Sequence, residues 1–347
     1  MDYLQSPPPY MVHVRCMTFN HGTYIEDAMN GFCMQETNFS YVCTIMDDAS
    51  TDGEQEIIKK YLQLNFNLED TTVTRIEETD DYLLTFAQHK KNKNCYFAVF
   101  YLKYNHYQNY DLYNFRRKRD IYLKEWQNTP YLASCEGDDY WIDSRKLQKQ
   151  FDFLESHPIY SMCFSRAKVL FESKISILIN CFDIEDREYN ATEIFEKWII
   201  PTATTMIRRK SLEYPINGSE RVLNGDIVTF EQAAHSGKVR GMSDYMAIYR
   251  IHQSGVTYNP AMYKIRIMRA PEHYVCIKEN FPKIDNTAIN KVIASAYADR
   301  TKICDDKKLI ARDRAMIKRF VPKFFEGEKR RWFLSKLYNL GRRILNC

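Results

Sequence analysis

Two short apolar runs, each ending in a pair of aspartates, constrain this chain more than any other feature. Residues 41–46 are nearly all apolar and stop at Asp47-Asp48, and residues 131–135 run straight into Glu136-Gly137-Asp138-Asp139. A strand without polar alternation is covered on both faces, as strands inside a parallel sheet are. Around these runs the period changes. Ile25, Ala28, Met29, Phe32 and Cys33 fall at i, i+3, i+4, i+7 and i+8, which makes one stripe of a helix. Ile57, Ile58, Tyr61 and Leu62 give a second stripe, preceded by Asp52 and Gln55 at capping-box spacing. Residues 12–17 read as a first strand and residues 72–76 as a third. This β-α-β-α-β order predicts an α/β chain with a doubly wound, mostly parallel sheet flanked by helices, and a ligand crevice beyond the carboxyl ends of its strands.

Residues 77–110 have no clean period. Arg116-Arg117-Lys118-Arg119 opens a predicted helix reaching Trp126, and Ser144 opens another that carries Leu147, Phe151 and Leu154 and closes before Pro158. Residues 255–260 have the composition of a linker, and the chain beyond them is predicted mainly helical. The expected organisation is a main domain over residues 10–255 and a smaller helical extension over residues 256–347.

Adjacent carboxylates repel, so keeping both ionised requires hydrogen-bond donors or a cation. A hard divalent ion, Mg²⁺ or Mn²⁺, is usually held by one or two carboxylates together with substrate phosphates. Two such pairs opening on one crevice outline a nucleoside-diphosphate site. Taken alone, Asp47-Asp48 reads equally well as a turn and helix cap.

The segments Met17-Thr18-Phe19-Asn20, Asp47-Asp48-Ala49-Ser50-Thr51-Asp52-Gly53 and Glu136-Gly137-Asp138-Asp139-Tyr140-Trp141, with Gln35 and Lys146-Leu147-Gln148-Lys149-Gln150, resemble the family 2 glycosyltransferases of GT-A fold. The resemblance continues through Pro201-Thr202-Ala203-Thr204-Thr205-Met206 and Asn224-Gly225-Asp226 to Tyr249-Arg250-Ile251-His252, in the family's own order. It implies a GT-A catalytic domain over residues 10–255. The implied activity is inverting transfer of a hexosyl or N-acetylhexosaminyl unit from a nucleotide diphosphate sugar, UDP-linked, to the hydroxyl of a glycan or lipid-linked saccharide in bacterial surface polysaccharide assembly. Position by position, Thr18 and Phe19 would line the base and ribose pocket and Asp48 would accept a hydrogen bond from the base. Asp138 and Asp139 stand at the acidic metal motif, Asp139 for direct ligation of Mn²⁺ or Mg²⁺ and Asp138 for ribose or metal. Asp226 matches the catalytic base, and His252 a late histidine that closes over the diphosphate or metal.

Other residues keep two readings. Arg116, Arg117 and Lys118 are candidates for diphosphate or base contacts, or else form a solvated charged face. Glu136 is a partner of the acidic motif or simply a strand-end carboxylate. Trp141 packs beneath the loop or walls the sugar pocket, and His21 is assigned a structural role. Met17 and Phe19 depart from the family, which usually has proline and often tyrosine there. A nucleotidyltransferase would carry a Gly-rich basic loop after the first strand, and Thr18-Phe19-Asn20-His21-Gly22 is neither. A non-catalytic sugar-nucleotide-binding scaffold would not need Asp138, Asp139 and Asp226.

Ten cysteines occur singly, with no C-x-x-C pair, which excludes a zinc ribbon or a dense disulfide framework and favours a reducing cytoplasm. The start of the chain lacks a secretory pattern, and no apolar run approaches the ~20 residues of a spanning helix. The net charge of +4 is uneven, because residues 301–347 hold 14 Lys/Arg against 5 Asp/Glu. Within them, residues 329–345 interleave basic and apolar side chains. That pattern suits peripheral contact with the inner face of an anionic membrane, or docking on the main domain with the charges turned to water. No nucleic-acid module is recognisable, and nucleic acid is not expected as a partner.

Overall fold

In a computed structural model the protein is described over residues 10–322, apart from 110–111, 173–175, 182, 198, 254 and 256–259. The chain divides into two compact units, residues 1–220 with 224–255 and residues 221–223 with 256–347. Most of the predicted linker and the whole basic segment 329–345 lie outside the described residues.

The first unit is a mixed α/β structure with a large sheet flanked by helices. Its strands are β1 (Val12–Thr18), β2 (Tyr41–Asp47), β3 (Thr74–Glu78), β4 (Tyr82–Gln88), β5 (Cys95–Leu102), β6 (Tyr131–Ser134), β7 (Tyr140–Trp141), β8 (Tyr160–Phe171), β9 (Ile177–Cys181), β10 (Glu188–Tyr189), β11 (Met206–Arg208) and β12 (Lys238–Ile251). The sheet order is β10-β12-β8-β11-β6-β1-β2-β5-β4-β3, with β7 on β12 and β9 on β8. At its centre β6, β1, β2 and β5 run parallel. Antiparallel strands flank them on both sides.

Alternation along the central strands sorts the core into two layers, because successive side chains point to opposite faces. Tyr41, Cys43 and Ile45 of β2 and Phe97 and Val99 of β5 meet helices α1 (Ile25–Cys33), α2 (Glu54–Asn65) and, further along the layer, Leu147 and Leu154 of a later helix, Lys146–Ser156. On the other face Val42 and Met46 pack with Phe100, Leu123 and Trp126.

Several expectations are corrected. The third parallel strand is β5, from the stretch that showed no period, while residues 74–78 form the antiparallel edge strand β3. β5 is buried along its whole length and reads like β2, but the half-buried hairpin strand β4 precedes it and breaks the pattern. Gln55 does not close a capping box; its side-chain amide donates to Asp47 Oδ1 at 2.5 Å, and the helix starts after Gly53, whose φ of 90° suits glycine. The helix carrying Arg116 is α4, preceded by the short α3 (His106–Asn109), and it spans Leu112–Tyr122, so Arg116 lies a full turn inside it. Helix α5 (Lys146–Ser156) has Arg145 rather than Ser144 at its N-cap. Two more helices, α6 (Ala191–Lys197) and α7 (Gly225–Ser236), complete this unit.

The second unit contains α8 (Pro260–Asn280), α9 (Asn286–Ile303) and α10 (Lys307–Phe320). Asp285 caps α9 by accepting from Ala288 N at 2.9 Å. Arg300 ties the three helices together, donating to Asp313 at 2.7 Å and to Glu272 at 2.7 Å. No helix among the described residues is long and apolar enough to cross a membrane.

Candidate active site

The carboxyl ends of β1, β2 and β6 converge, and the loops that leave them are fastened to one another. Asn20 and Ala49 both adopt left-handed backbone, with φ of 57° and 60°, an uncommon conformation that needs support from neighbours. That support is Glu54, at the start of α2. Its carboxylate accepts from Thr18 Oγ1, from His21 N at 2.8 Å and from Ser50 Oγ at 2.8 Å. Burial pushes the Glu54 carboxyl up to about 7 against the pull of those three donors.

The first aspartate pair is bound in part by the chain around it. Asp47 Oδ1 accepts from Gln55 and from Ser50 N. Asp48 is buried and accepts from His106 N at 2.7 Å and Tyr107 N at 3.0 Å, which anchors the chain after β5 beneath the crevice. Backbone and amide donors thus bind three of the four carboxylate oxygens of this pair, while Asp47 Oδ2 is buried without a hydrogen-bond partner among the described residues. Thr18 is turned inward towards Glu54, and Phe19 beside it is half-buried.

The second pair differs. Asp139 is buried, and its Oδ1 accepts from Arg250 N at 2.8 Å; burial and the neighbouring Asp138 charge push its carboxyl well above the usual range. Asp138 faces the crevice. His252 Nε2 lies 3.1 Å from its Oδ2, and His21 Nε2 lies 3.7 Å from the same atom. Burial works to raise Asp138, but the hydrogen bond from His252 and the two nearby imidazoles hold it below the usual carboxylate range. Ligand atoms of His21, Asp138 and His252 lie within 4.8 Å of one another, as do those of Glu136, Asp138 and Asp139. His21, expected to be structural, therefore lies beside Asp138 and His252 in the candidate site. Its only signal in the sequence is its place next to Asn20 in the first loop.

Asp226 sits in the first turn of α7. Burial raises its carboxyl, opposed by the guanidinium groups of Arg15 and Arg116 and by a hydrogen bond with Thr202. Arg116 lies over Gly225, its Nη2 3.4 Å from where a β-carbon would be, whereas Arg117 is exposed. Glu136, just after β6, is exposed. The protein around it, followed by the Asp226 and Asp138 charges, pushes its carboxyl up to about 8. Arg15 is a second residue that sequence reasoning passed over, although a lone arginine in an apolar strand is a readable signal. Trp141 is buried, donates from Nε1 to Ala203 O at 2.7 Å and packs on Phe32, so it supports the loop from beneath.

No protein-family model matches the chain. It is 26% identical over 251 residues to uncharacterized proteins of Mycobacterium bovis and Mycobacterium tuberculosis, covering 70% of this chain and 59% of theirs. The chain thus spans 59% of the length of the curated relatives it matches. Among solved structures it is similar to S. aureus TarS 1–349 in complex with UDP-GlcNAc, at TM-score 0.52 and 12% identity over 90% of this chain and 80% of that one. A second crystal structure of TarS 1–349 gives TM-score 0.53 at 13% identity, covering 92% and 91%. The mannosyltransferase PcManGT of Pyrobaculum calidifontis, in complex with GDP-Man and Mn²⁺, gives 0.46 at 12% identity, covering 93% and 90%. What the chain shares with TarS is its fold, a mixed α/β unit built on a large sheet flanked by helices.

Proposed function

We propose that the protein is an inverting glycosyltransferase that moves a sugar from a UDP-linked donor to the hydroxyl of a glycan or lipid-linked saccharide. The observation that carries this reading is the convergence of Asp138, Glu136 and two histidines at the carboxyl ends of parallel strands, where ligands of open α/β sheets bind, with Asp226 of α7 close enough to act on Glu136. The fold of a protein crystallised with UDP-GlcNAc supports the donor class. Asp138 and His252 would hold a divalent cation, Mn²⁺ or Mg²⁺. Their donor atoms fit one, because a carboxylate oxygen and an imidazole nitrogen face the same point of the cleft. Asp138 is preferred over Asp139 as ligand, since Asp139 is buried and bound to backbone. The ion supplies charge neutralisation on the leaving diphosphate.

The chain's own residues do the rest. Asp226 takes the acceptor proton as the new C–O bond forms and the bond to the diphosphate breaks; a single displacement of this kind inverts the anomeric centre. Arg15 keeps Asp226 ionisable in its buried position. Arg116 is placed to contact the diphosphate, and Arg117 is a weaker candidate because it points to solvent. Asp48 fixes the backbone of His106 and Tyr107 beside the base pocket, and Phe19 contributes its ring to that pocket. The setting is polysaccharide assembly at the inner face of the cell membrane, with the basic segment 329–345 as the surface contact.

Asp226→Asn tests the assignment. Transfer from UDP-GlcNAc should fall about 10²- to 10⁴-fold, the usual contribution of a general base, with the dissociation constant for UDP unchanged. A variant that loses UDP binding to the same extent as transfer removes Asp226 from the role of base.

A further inference from the structure

We propose that His21 is the third protein ligand of the divalent cation, completing a site with Asp138 and His252 that prefers Mn²⁺ to Mg²⁺. The inference rests on the metal-dependent reading of the cleft above and adds a residue and a selectivity to it.

The hydrogen-bond pattern around Thr18 fixes the tautomer of His21. Thr18 has one hydroxyl proton, and with Glu54 ionised it donates that proton to the carboxylate. Thr18 Oγ1 can then only accept from His21 Nδ1, 3.2 Å away. The neutral imidazole therefore carries its proton on Nδ1 and directs the lone pair of Nε2 towards Asp138 Oδ2, at 3.7 Å. A lone pair facing a carboxylate is unfavourable unless a metal cation lies between them or the imidazole takes up a proton. His252 Nε2 closes on the same oxygen at 3.1 Å.

The spacing suits a shared ion. Ligands about 2.1 Å from a metal lie about 3.0 Å apart when adjacent in an octahedron and about 3.4 Å apart in a tetrahedron. The observed 3.1 and 3.7 Å lie within about 0.3 Å of that range. The scaffold holds the three residues before any ion arrives. His21 N is bound to Glu54 at 2.8 Å, the two imidazoles meet edge to face at 5.9 Å, and Tyr24 packs on His252 at 4.7 Å. Thr18 in turn orients His21, an arrangement typical of metal-ligating histidines.

Two imidazoles and one carboxylate are a poor set for Mg²⁺, which takes oxygen ligands and sheds water reluctantly, and a better one for first-row transition ions. Three protein ligands leave open positions for diphosphate oxygens.

Calorimetric titration of the full chain with MnCl₂ and, separately, MgCl₂, in the absence of nucleotide, tests this. The wild type should bind Mn²⁺ roughly 10-fold or more tightly than Mg²⁺, and His21→Ala should lose roughly 10-fold or more in Mn²⁺ affinity while Mg²⁺ changes little. Thr18→Val, which frees the tautomer without removing the ligand, should show a smaller loss in the same direction, and it serves if His21→Ala fails to fold. Unchanged Mn²⁺ affinity in a folded His21→Ala, or in Thr18→Val alone, overturns the inference; His21 is then an imidazolium paired with Asp138. The glycosyltransferase reading survives that result provided UDP still binds with Mn²⁺, whereas a wild type that binds neither ion nor UDP defeats both.

Discussion

Arg250 shows how much of the site depends on a single buried side chain. Its backbone N–H holds Asp139 at 2.8 Å, while its guanidinium donates to the carbonyl of Asp138 and to Asp27, each at 2.7 Å. The same group pairs with Glu172 at 2.9 Å and lies against the rings of Tyr24 and Tyr140, 4.5 and 5.0 Å from their centroids. Both aspartates are thus aimed by one residue of β12. Gly137, between Glu136 and Asp138, is a second fixed point. A β-carbon there would lie 2.6 Å from Thr18 Cβ and closer still to its hydroxyl. Gly137→Ala should therefore cost about 1–3 kcal/mol, as overpacking of a tight contact does, and should also weaken UDP binding by displacing the first loop. Thermal unfolding together with UDP titration checks this, and a variant with unchanged melting temperature and affinity would show that the contact relaxes freely. Asp138 and Asp139 could be singled out because a strand end announces them, and Asp226 and His252 only through the family resemblance. His21, Arg15 and Glu54 were not, since their importance comes from partners 33 to 211 positions away.

Among the elements, α7 carries a cost of its own. Glu231 is fully buried on it with neither carboxylate oxygen hydrogen-bonded among the described residues, and His235 Nδ1 lies 3.6 Å from its Oε2. Burial pushes its carboxyl up to about 9. The unfolded chain releases this proton near the ordinary glutamate value, whereas the folded chain holds it until about pH 9. Across that window the folded state binds more protons, so stability must fall as pH rises, by at most about 1.4 kcal/mol per pH unit. Glu231→Gln should match the wild type near pH 5 and melt higher at pH 8. Parallel melting curves at both pH values would contradict this. The wider architecture was legible where a period was sustained, in β1, α1, β2, α2, β6 and α5. Reading residues 72–76 as the third parallel strand failed because an edge strand and a central strand share propensity and differ in what covers them; β3 is largely exposed and β5 fully buried. Gln55 escaped the capping rule for a similar reason, because Asp47 offered it a charged acceptor.

At the scale of the molecule, charge and chemistry are divided along the chain. Residues 301–347 carry 14 Lys/Arg against 5 Asp/Glu, while the carboxylates of the candidate site all belong to the first unit. That unit gathers Glu136, Asp138 and Asp139 after β6 and Asp226 in the first turn of α7, carboxylates whose joint ionisation a cation would favour. Nucleotide binding that depends on the ion is the central claim, and calorimetric titration with UDP, GDP and ADP, each with Mn²⁺ and then with EDTA, tests it most directly. The account predicts that UDP binds in the presence of Mn²⁺ and loses roughly 10-fold or more in affinity when the ion is chelated. Failure of all three nucleotides to bind under either condition would contradict it.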